Sequence, residues 1–419
     1  MFRSTTVEKQ YAQVDGDSLR VLVVGAGIAG LTAAQLLRRN GHHPVLIERG
    51  DQHSAAGYML ALMPMVDVAL DDLEVHDRYR AASTPLKRYA VHGHTGRKLR
   101  EDSMSAILDR FGDYRGIARG ELIDVLSGDG CPVTFDSTVA ELTEGADGVE
   151  VSVRTPAGVH RRRFDLVIIA DGMHSQTREL VPTGRAVEIV DTEWGGWVVW
   201  APCNDPADAD SDLAEEWWGA GFFVGLYPVK GEVGVFFGGP RADTAAGPGA
   251  FVAQARRQLK DVSPRLERAL TAVRNDPDPY YWSLTDCRAP AWTTGRTVLL
   301  GDAAAGFLPT AGIGAGMAME SAWLLCRMLR QADRTDLPDL LRAYERTQRP
   351  RVEAAQDNSR QLASLMFRRS RLLAVAREVA MRFVSVERAL RPIQRLLQEQ
   401  PDPQALSSAA GERLWAPQR

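Results

Sequence analysis

A glycine-rich turn between a short apolar strand and a helix constrains the fold of this chain more than any other feature. The apolar run Val21–Val24 leads directly into GAGIAG at positions 25–30, and helical periodicity continues to Arg39. A second apolar run, Pro44–Glu48, ends in an acid eighteen residues after the last glycine of the motif. This order of strand, turn, helix and strand predicts a βαβ unit that binds a dinucleotide.

Each glycine of this turn has a distinct expected role. Gly25 makes the tight turn, Gly27 lets a pyrophosphate approach the backbone, and Gly30 packs the helix on the strand. N–H groups at the helix N-terminus then donate to the phosphates. We expect Glu48 to bind the adenosine ribose, and its charge disfavours a 2'-phosphate, so the turn favours FAD or NAD over NADP. An ordinary glycine-rich turn without a ligand is the alternative.

A second stretch, RTVLLGDAAAGFLPTAGIGAGMAME at positions 296–320, places an acid after an apolar run. It contains no lysine, so a phosphate-binding loop of the GxxxxGK[ST] type is excluded. A second dinucleotide motif is also excluded, because the acid precedes the glycines and would repel a pyrophosphate. Asp302 could instead bind a chain of sugar-like hydroxyls; the alternative is a helix N-cap.

Composition favours a protein that acts on small molecules. The chain has 419 residues and a net charge of -4, which does not favour binding to nucleic acid or to an anionic membrane. Its four cysteines are widely spaced, so neither a metal site nor a disulfide framework is predicted. The polar first twenty residues lack the apolar core of a signal peptide, and no apolar run suits a membrane span. A cytoplasmic location is expected.

The middle of the chain differs from the start in its amino-acid composition. Between Ala186 and Trp282, aromatic and β-branched residues dominate, and Lys230-Gly231 is typical of a hairpin turn. This pattern predicts a mostly antiparallel sheet in a second domain. Helical periodicity returns from about Ala315 to Arg330 and again from position 337 to about 400.

Three motifs, in this order, resemble those of single-component (class A) flavoprotein monooxygenases of the para-hydroxybenzoate hydroxylase type. They are GAGIAG with Glu48, DLVIIADGMHSQTR at positions 165–178, and the Gly-Asp stretch described above. The resemblance implies an α/β fold: a Rossmann-like, glutathione-reductase-type FAD domain with an inserted, mostly antiparallel β-sheet substrate domain and C-terminal helices. The implied boundaries are 18–75, 105–185 and 285–345 for the FAD domain, 76–104 and 186–284 for the substrate domain, and 346–419 for the helical region.

The resemblance also implies how FAD is bound. The acid after Gly301 would hold the ribityl chain, and the following glycine loop and helix N-terminus would face the pyrimidine end of the flavin ring. Many relatives carry histidine after Gly-Asp-Ala-Ala, where this chain has Ala305. The implied FAD-binding residues are Gly25, Gly27, Ala29, Gly30, Glu48, Arg49, Arg119, Val139, Asp171, Gly172, Asp302, Pro309, Gly312, Ile313, Gly314 and Ala315.

The implied activity is a monooxygenase that uses NAD(P)H and O2. Through a flavin C4a-hydroperoxide, it would hydroxylate or epoxidise a hydrophobic, possibly polycyclic small molecule in secondary metabolism. A non-redox FAD-bound cyclase or binding protein, and a flavin-dependent saturase or halogenase, are the alternatives. The oligomeric state could be monomer or homodimer.

An aromatic cluster is the candidate substrate wall. Five of the nine tryptophans lie within 25 residues, and they could line a flat apolar pocket or form a packed sheet core. His92 and His94, in a candidate hairpin, could act as a base or simply occupy the turn. No catalytic side chain is assigned. The candidate substrate residues are Trp197, Trp217, Phe222 and Tyr227.

Overall fold

The computed structural model describes residues 2–51, 57–128, 130–182, 184–203, 211–330, 332–381, 383 and 385–402. They fold into a mixed α/β protein, as predicted. The strands are β1 Phe2–Ser4, β2 Val21–Val24, β3 Val45–Ile47, β4 Met59–Leu62, β5 Thr84–Pro85, β6 Arg88–His92, β7 Lys98–Ser103, β8 Arg115–Ala118, β9 Cys131–Val133, β10 Thr138–Gly145, β11 Gly148–Thr155, β12 Gly158–Phe164, β13 Leu166–Ile169, β14 Glu188–Pro202, β15 Leu213–Trp218, β16 Phe223–Val229, β17 Glu232–Pro240, β18 Tyr280–Arg288, β19 Thr293–Thr294, β20 Thr297–Leu299 and β21 Ala305–Gly306.

The helices follow the same chain order. They are α1 Val7–Tyr11, α2 Ile28–Arg39, α3 Asp67–Asp72, α4 His76–Ala82, α5 Met104–Leu108, α6 Arg119–Ser127, α7 Arg241–Thr244, α8 Pro248–Arg256, α9 Pro264–Asn275, α10 Gly314–Leu329, α11 Leu337–Met366, α12 Arg371–Met381, α13 Val386–Ala389 and α14 Arg391–Gln398. Short 3₁₀ turns lie at Pro64–Val66, Arg178–Leu180, Gly301–Ala303 and Pro309–Ala311.

A five-stranded sheet in the order β19-β20-β13-β2-β3 confirms the predicted βαβ unit. Strands β20, β13, β2 and β3 run parallel, and their residues are buried on both faces, which explains why they are continuous apolar runs. Because carboxyl ends of parallel strands share one edge, the loops after β2, β13 and β20 meet there. These three loops carry the three sequence motifs.

An eight-stranded sheet forms the second layer, in the order β21-β18-β14-β17-β16-β15-β6-β7. All of its pairings are antiparallel except that of β15 with β6. The hairpins β6–β7 and β16–β17 confirm the turns predicted around His94 and Lys230-Gly231. Helices α8 and α9 cover one face of this sheet and bury an aromatic core there. The other face turns towards the motif loops.

Helices α11 to α14 form the C-terminal part of the described structure. Helix α11 contains Pro350 and is 30 residues long. It runs through position 345, so the predicted boundary between 345 and 346 does not coincide with the end of an element. Within the described parts of the chain, no helix has both the length and the apolar character needed to cross a membrane.

Candidate functional site

A cavity of about 510 Å³ lies between the motif loops, the large sheet and the C-terminal helices. This volume is in the range of small-molecule binding sites. Its lining is mostly apolar, with a few charged groups. Ten of the predicted site residues line it: Gly27, Ala29, Arg119, Gly172, Tyr227, Asp302, Pro309, Gly312, Gly314 and Ala315.

The three glycines of the first motif differ in what surrounds them. Gly25 has a φ of 101°, and an added Cβ would lie 2.5 Å from the Ala170 carbonyl oxygen. A Cβ on Gly30 would lie 1.9 Å from the Gly25 carbonyl oxygen. A Cβ on Gly27, by contrast, would meet no protein atom within 4 Å. Space for a phosphate therefore lies at Gly27, at the N-terminus of α2, where no side chain caps the free N–H groups.

Glu48 stabilises this glycine turn from the end of β3. One carboxylate oxygen accepts a hydrogen bond from the Ala26 N–H at 2.7 Å, and the other accepts one from the Gly50 N–H at 2.7 Å. Arg49 is exposed and Val139 is buried, and neither lines the cavity. The predicted contacts of these three residues with FAD stay predictions.

The loop after β13 is connected to the loop after β20 by a buried arginine. The Arg178 guanidinium donates to the carbonyl oxygens of Ala303 at 2.7 Å and Met173 at 3.0 Å. In the same loop, one Asp171 oxygen accepts a hydrogen bond from the Thr177 N–H, and the other is buried without a partner among the described residues. An unpartnered buried oxygen is costly unless a ligand satisfies it. Arg178 is the last residue of the DLVIIADGMHSQTR motif, and the sequence alone does not predict this role for it.

Asp302 projects into the cavity, and its side chain is exposed to the cavity space. The protein packed around it disfavours the charged form and raises the pKa of Asp302 to about 6, and the positive charge of Arg119 opposes the shift. The Arg119 guanidinium lies 5.8 Å from the centre of the Tyr58 ring, and the backbone N–H of Arg119 donates to the Tyr58 carbonyl oxygen at 2.9 Å. A carboxylate in such a place is suited to accept hydrogen bonds from ligand hydroxyls.

The glycine loop after Asp302 leads into the N-terminus of α10, which no side chain caps. Gly312 has a φ of 63°, and Ile313 is the buried N-cap residue of α10 without a side-chain hydrogen bond. A Cβ on Gly314 would approach the Phe307 Cβ to 3.0 Å. Small residues thus leave the first N–H groups of α10 accessible from the cavity. Such donors favour negative charge on a ligand.

Together, the open space at Gly27, the orphaned oxygen of Asp171, the carboxylate of Asp302 and the two helix N-termini fit FAD. The α2 N-terminus suits the pyrophosphate, Asp302 the ribityl hydroxyls, and the α10 N-terminus the electron-rich edge of the flavin ring. Within the described residues, no group of three or more His, Cys, Asp or Glu side chains is arranged to hold a metal ion.

The large sheet brings only one of the four predicted substrate residues to the cavity. Tyr227 lines it, whereas Trp197, Trp217 and Phe222 lie in the core beneath α8 and α9, on the opposite face. The reason is the alternation of side chains along a strand. The cavity wall is formed instead by residues that sequence reasoning did not select: Tyr89, Val91, Glu216, Trp218, Phe223, Phe236, Trp282 and Leu284.

Glu216 is the charged member of this wall and was missed by sequence reasoning. It accepts hydrogen bonds from the hydroxyls of Tyr89 and Tyr227 and from the indole N–H of Trp218. A possible signal was its position two residues before Trp218 on an otherwise apolar strand, since residues i and i+2 share one face.

Neither candidate histidine lines the cavity. His92 bonds to Glu215 at 3.0 Å and stacks on Trp217, on the face covered by α8 and α9. His94 bonds to Glu378 at 2.6 Å. The structure therefore gives both histidines a packing role next to a carboxylate and does not place either near the cavity.

Comparison with known proteins supports the FAD assignment. The protein family described as FAD binding domain matches residues 18–359. The FAD-dependent urate hydroxylase of Klebsiella pneumoniae is 28% identical over 350 residues, which cover 80% of this chain and 87% of that protein. The FAD-dependent monooxygenase atnJ of Arthrinium sp is 27% identical over 357 residues, which cover 81% of this chain and 82% of that protein.

The fold agrees with these relationships. The structure of Klebsiella pneumoniae HpxO complexed with FAD and uric acid is similar with a TM-score of 0.80 and 26% identity. The match covers 93% of this chain and 99% of that chain. The chain therefore belongs to the FAD binding domain family, among the FAD-dependent monooxygenases of the single-component, para-hydroxybenzoate hydroxylase type.

Proposed function

We propose that this protein uses NAD(P)H and O2 to hydroxylate or epoxidise a hydrophobic small molecule held against bound FAD. The observation that carries the proposal is the continuity of one cavity from the glycine loops to the aromatic wall of the large sheet. A substrate on that wall would lie next to the flavin end of the cofactor, which the oxygen-transfer chemistry of the family requires.

Each part of the lining has a task in this proposal. The N–H groups of α2 and α10 bind the two electron-rich regions of the cofactor, and Asp302 accepts hydrogen bonds from its ribityl hydroxyls. Trp218, Trp282 and Phe236 hold an apolar substrate by contact area and exclude water from it. Bound FAD would supply the redox chemistry: it would take a hydride from NAD(P)H and activate O2, with one oxygen atom going to the substrate and the other leaving as water.

The experiment is anaerobic mixing of the FAD-loaded protein with NADH or NADPH, followed by admission of O2. We expect the yellow flavin absorbance to bleach with one or both nucleotides and to return when O2 enters. No bleaching with either nucleotide would contradict the proposal and favour a non-redox role for FAD. Bleaching that O2 does not reverse would favour a saturase.

A further inference from the structure

The Glu216 carboxylate lies in the cavity wall and is only 6% exposed. It accepts hydrogen bonds from the Tyr89 hydroxyl at 2.5 Å, the Trp218 indole N–H at 2.7 Å and the Tyr227 hydroxyl at 2.6 Å. All three donors are neutral, and among the described residues Glu216 forms no ion pair. A buried carboxylate without a cation is rare, because its desolvation is not offset by an opposite charge.

The neighbouring acid on the same strand is a useful contrast. Glu215 points to the opposite face of the sheet, where it pairs with Arg265 at 2.8 Å and contacts His92 at 3.0 Å. The fold thus supplies a cation to one buried acid of this strand and leaves the next one, which faces the cavity, without any. Burial raises the pKa of Glu216, while its three donors oppose that shift.

The directions of the donated protons decide what the wall offers a ligand. The two phenol protons and the indole proton all point to the carboxylate, so none of them is available to the cavity. What remains are acceptors: a free lone pair on Oε1, which has one donor where Oε2 has two, and the phenol oxygens of Tyr89 and Tyr227. An ammonium group, with up to three N–H donors and a positive charge, is complementary to this set.

We propose that Glu216, Tyr89 and Tyr227 form a subsite for a cationic nitrogen of the substrate, an ammonium or protonated amine attached to an apolar body. The inference rests on the proposed function in that it assumes the substrate lies in this cavity. Trp218 and Phe223 border the same wall and provide apolar surface for the body of the substrate, while the Arg377 guanidinium lies 5.6 Å from the centre of the Trp218 ring.

Other protein groups engage part of the hydrogen-bonding capacity of the arginines that line the cavity. Arg100 pairs with Asp102, and Arg119 lies close enough to Asp302 to affect its pKa. The Nη atoms of Arg377 donate to backbone carbonyl oxygens, those of Trp218 and Met366 among them, whereas its Nε is buried without a partner among the described residues. An anionic substrate would also be repelled by the negative charge of Glu216. Tighter binding of an anionic probe would therefore count against the proposal.

The test compares three probes of nearly equal size on the FAD-loaded protein: 2-naphthylmethylammonium, neutral 2-naphthylmethanol and anionic 2-naphthoate. Binding is measured by isothermal titration calorimetry. We expect the ammonium to bind about tenfold or more tightly than the alcohol, the difference that one charge-assisted hydrogen bond gives, and the carboxylate to bind most weakly. Equal affinity for ammonium and alcohol, or tighter binding of the carboxylate, would overturn the proposal.

Two variants make the assignment specific. Glu216→Gln should lower the ammonium affinity about tenfold and leave the alcohol affinity unchanged. Glu215→Gln, the matched control on the other face, should leave the ratio of the two affinities unchanged even where it lowers the melting temperature. A ratio that Glu216→Gln does not change would refute the subsite. The comparison on the unsubstituted protein does not depend on how either variant folds.

The two proposals can fail separately. Calorimetry detects the ammonium preference whether or not NAD(P)H reduces the flavin. A preference for the ammonium probe without flavin bleaching would remove the oxygenase function and keep the subsite. Bleaching without any preference would keep the function and remove the subsite.

Discussion

Alanine substitutions at Gly27 and Gly30, three residues apart, should distinguish an effect on FAD binding from an effect on the stability of the fold. Gly27 has a φ of -72°, which any residue adopts, and a Cβ there meets no protein atom within 4 Å. Gly30 is different, because its Cβ would lie 1.9 Å from a backbone oxygen that cannot move without changing the turn. The matched substitutions Gly27→Ala and Gly30→Ala add the same methyl group to these two environments.

The expected magnitudes differ accordingly. Gly27→Ala should change the free energy of unfolding of the FAD-free protein by less than about 1 kcal/mol, the difference between Gly and Ala at an N-cap. The added methyl group occupies space that we assign to the pyrophosphate, and losing one charge-assisted hydrogen bond would weaken FAD binding about 10- to 150-fold. Gly30→Ala should lower the free energy of unfolding by about 1–3 kcal/mol or more through overpacking, and weaken FAD binding as well.

Two assays separate these effects. Urea unfolding of the FAD-free proteins gives the free energy of unfolding, and quenching of flavin fluorescence on titration gives the dissociation constant for FAD. The reasoning would be refuted if Gly27→Ala bound FAD as tightly as the unsubstituted protein. It would also be refuted if Gly30→Ala were as stable as Gly27→Ala, because the turn would then not be packed as described.

Three further substitutions test other parts of the cavity. At pH values above about 7, Asp302→Asn should raise the melting temperature of the FAD-free protein, because a pKa of about 6 means that the folded protein disfavours the ionised carboxylate. This gain should vanish below about pH 4, where the carboxyl group is protonated in both the folded and the unfolded protein. The affinity for FAD should fall at neutral pH. Arg178→Ala should lower the free energy of unfolding in urea by about 1–3 kcal/mol, since it leaves the buried Ala303 carbonyl oxygen without a donor and removes one donor from the Met173 carbonyl oxygen. An unchanged value would contradict the described link between the loops. Trp218→Ala should weaken binding of 2-naphthylmethanol in calorimetry, whereas Trp217→Ala should lower stability by about 3–5 kcal/mol and leave that affinity unchanged.

The motif loops could be predicted from the sequence because each one follows a local pattern. An apolar run predicts a buried parallel strand, and the residue after it therefore lies at the carboxyl edge of the sheet. Gly25, Asp171 and Asp302 each stand just after such a run. If the three runs form strands of one parallel sheet, the loops that follow them meet at one edge, and this can be predicted without knowing how the side chains pack.

The substrate wall could not be predicted in this way, because strand alternation alone does not say which face is covered. In EEWW at positions 215–218, Glu215 and Trp217 share one face while Glu216 and Trp218 share the other. Helices α8 and α9, more than thirty residues later in the chain, cover the first pair. The exposed face is therefore decided by tertiary packing: the sequence prediction named Trp217, whereas the cavity residue is Trp218.

Ala305 lies where the loop that carries Asp302 contacts the large sheet, a contact that was not predicted from the sequence. It is only 2% exposed, and with Gly306 it forms β21, which pairs with Arg288 and Cys287 of β18 at the edge of the large sheet. The Gln356 side chain of α11 donates to the carbonyl oxygens of Cys287 at 2.8 Å and Gly306 at 2.6 Å. The loop that carries Asp302 is thus hydrogen-bonded to the sheet that carries the substrate wall. Any shift of the sheet relative to the FAD loops must break these bonds, which fixes the distance between the two halves of the cavity.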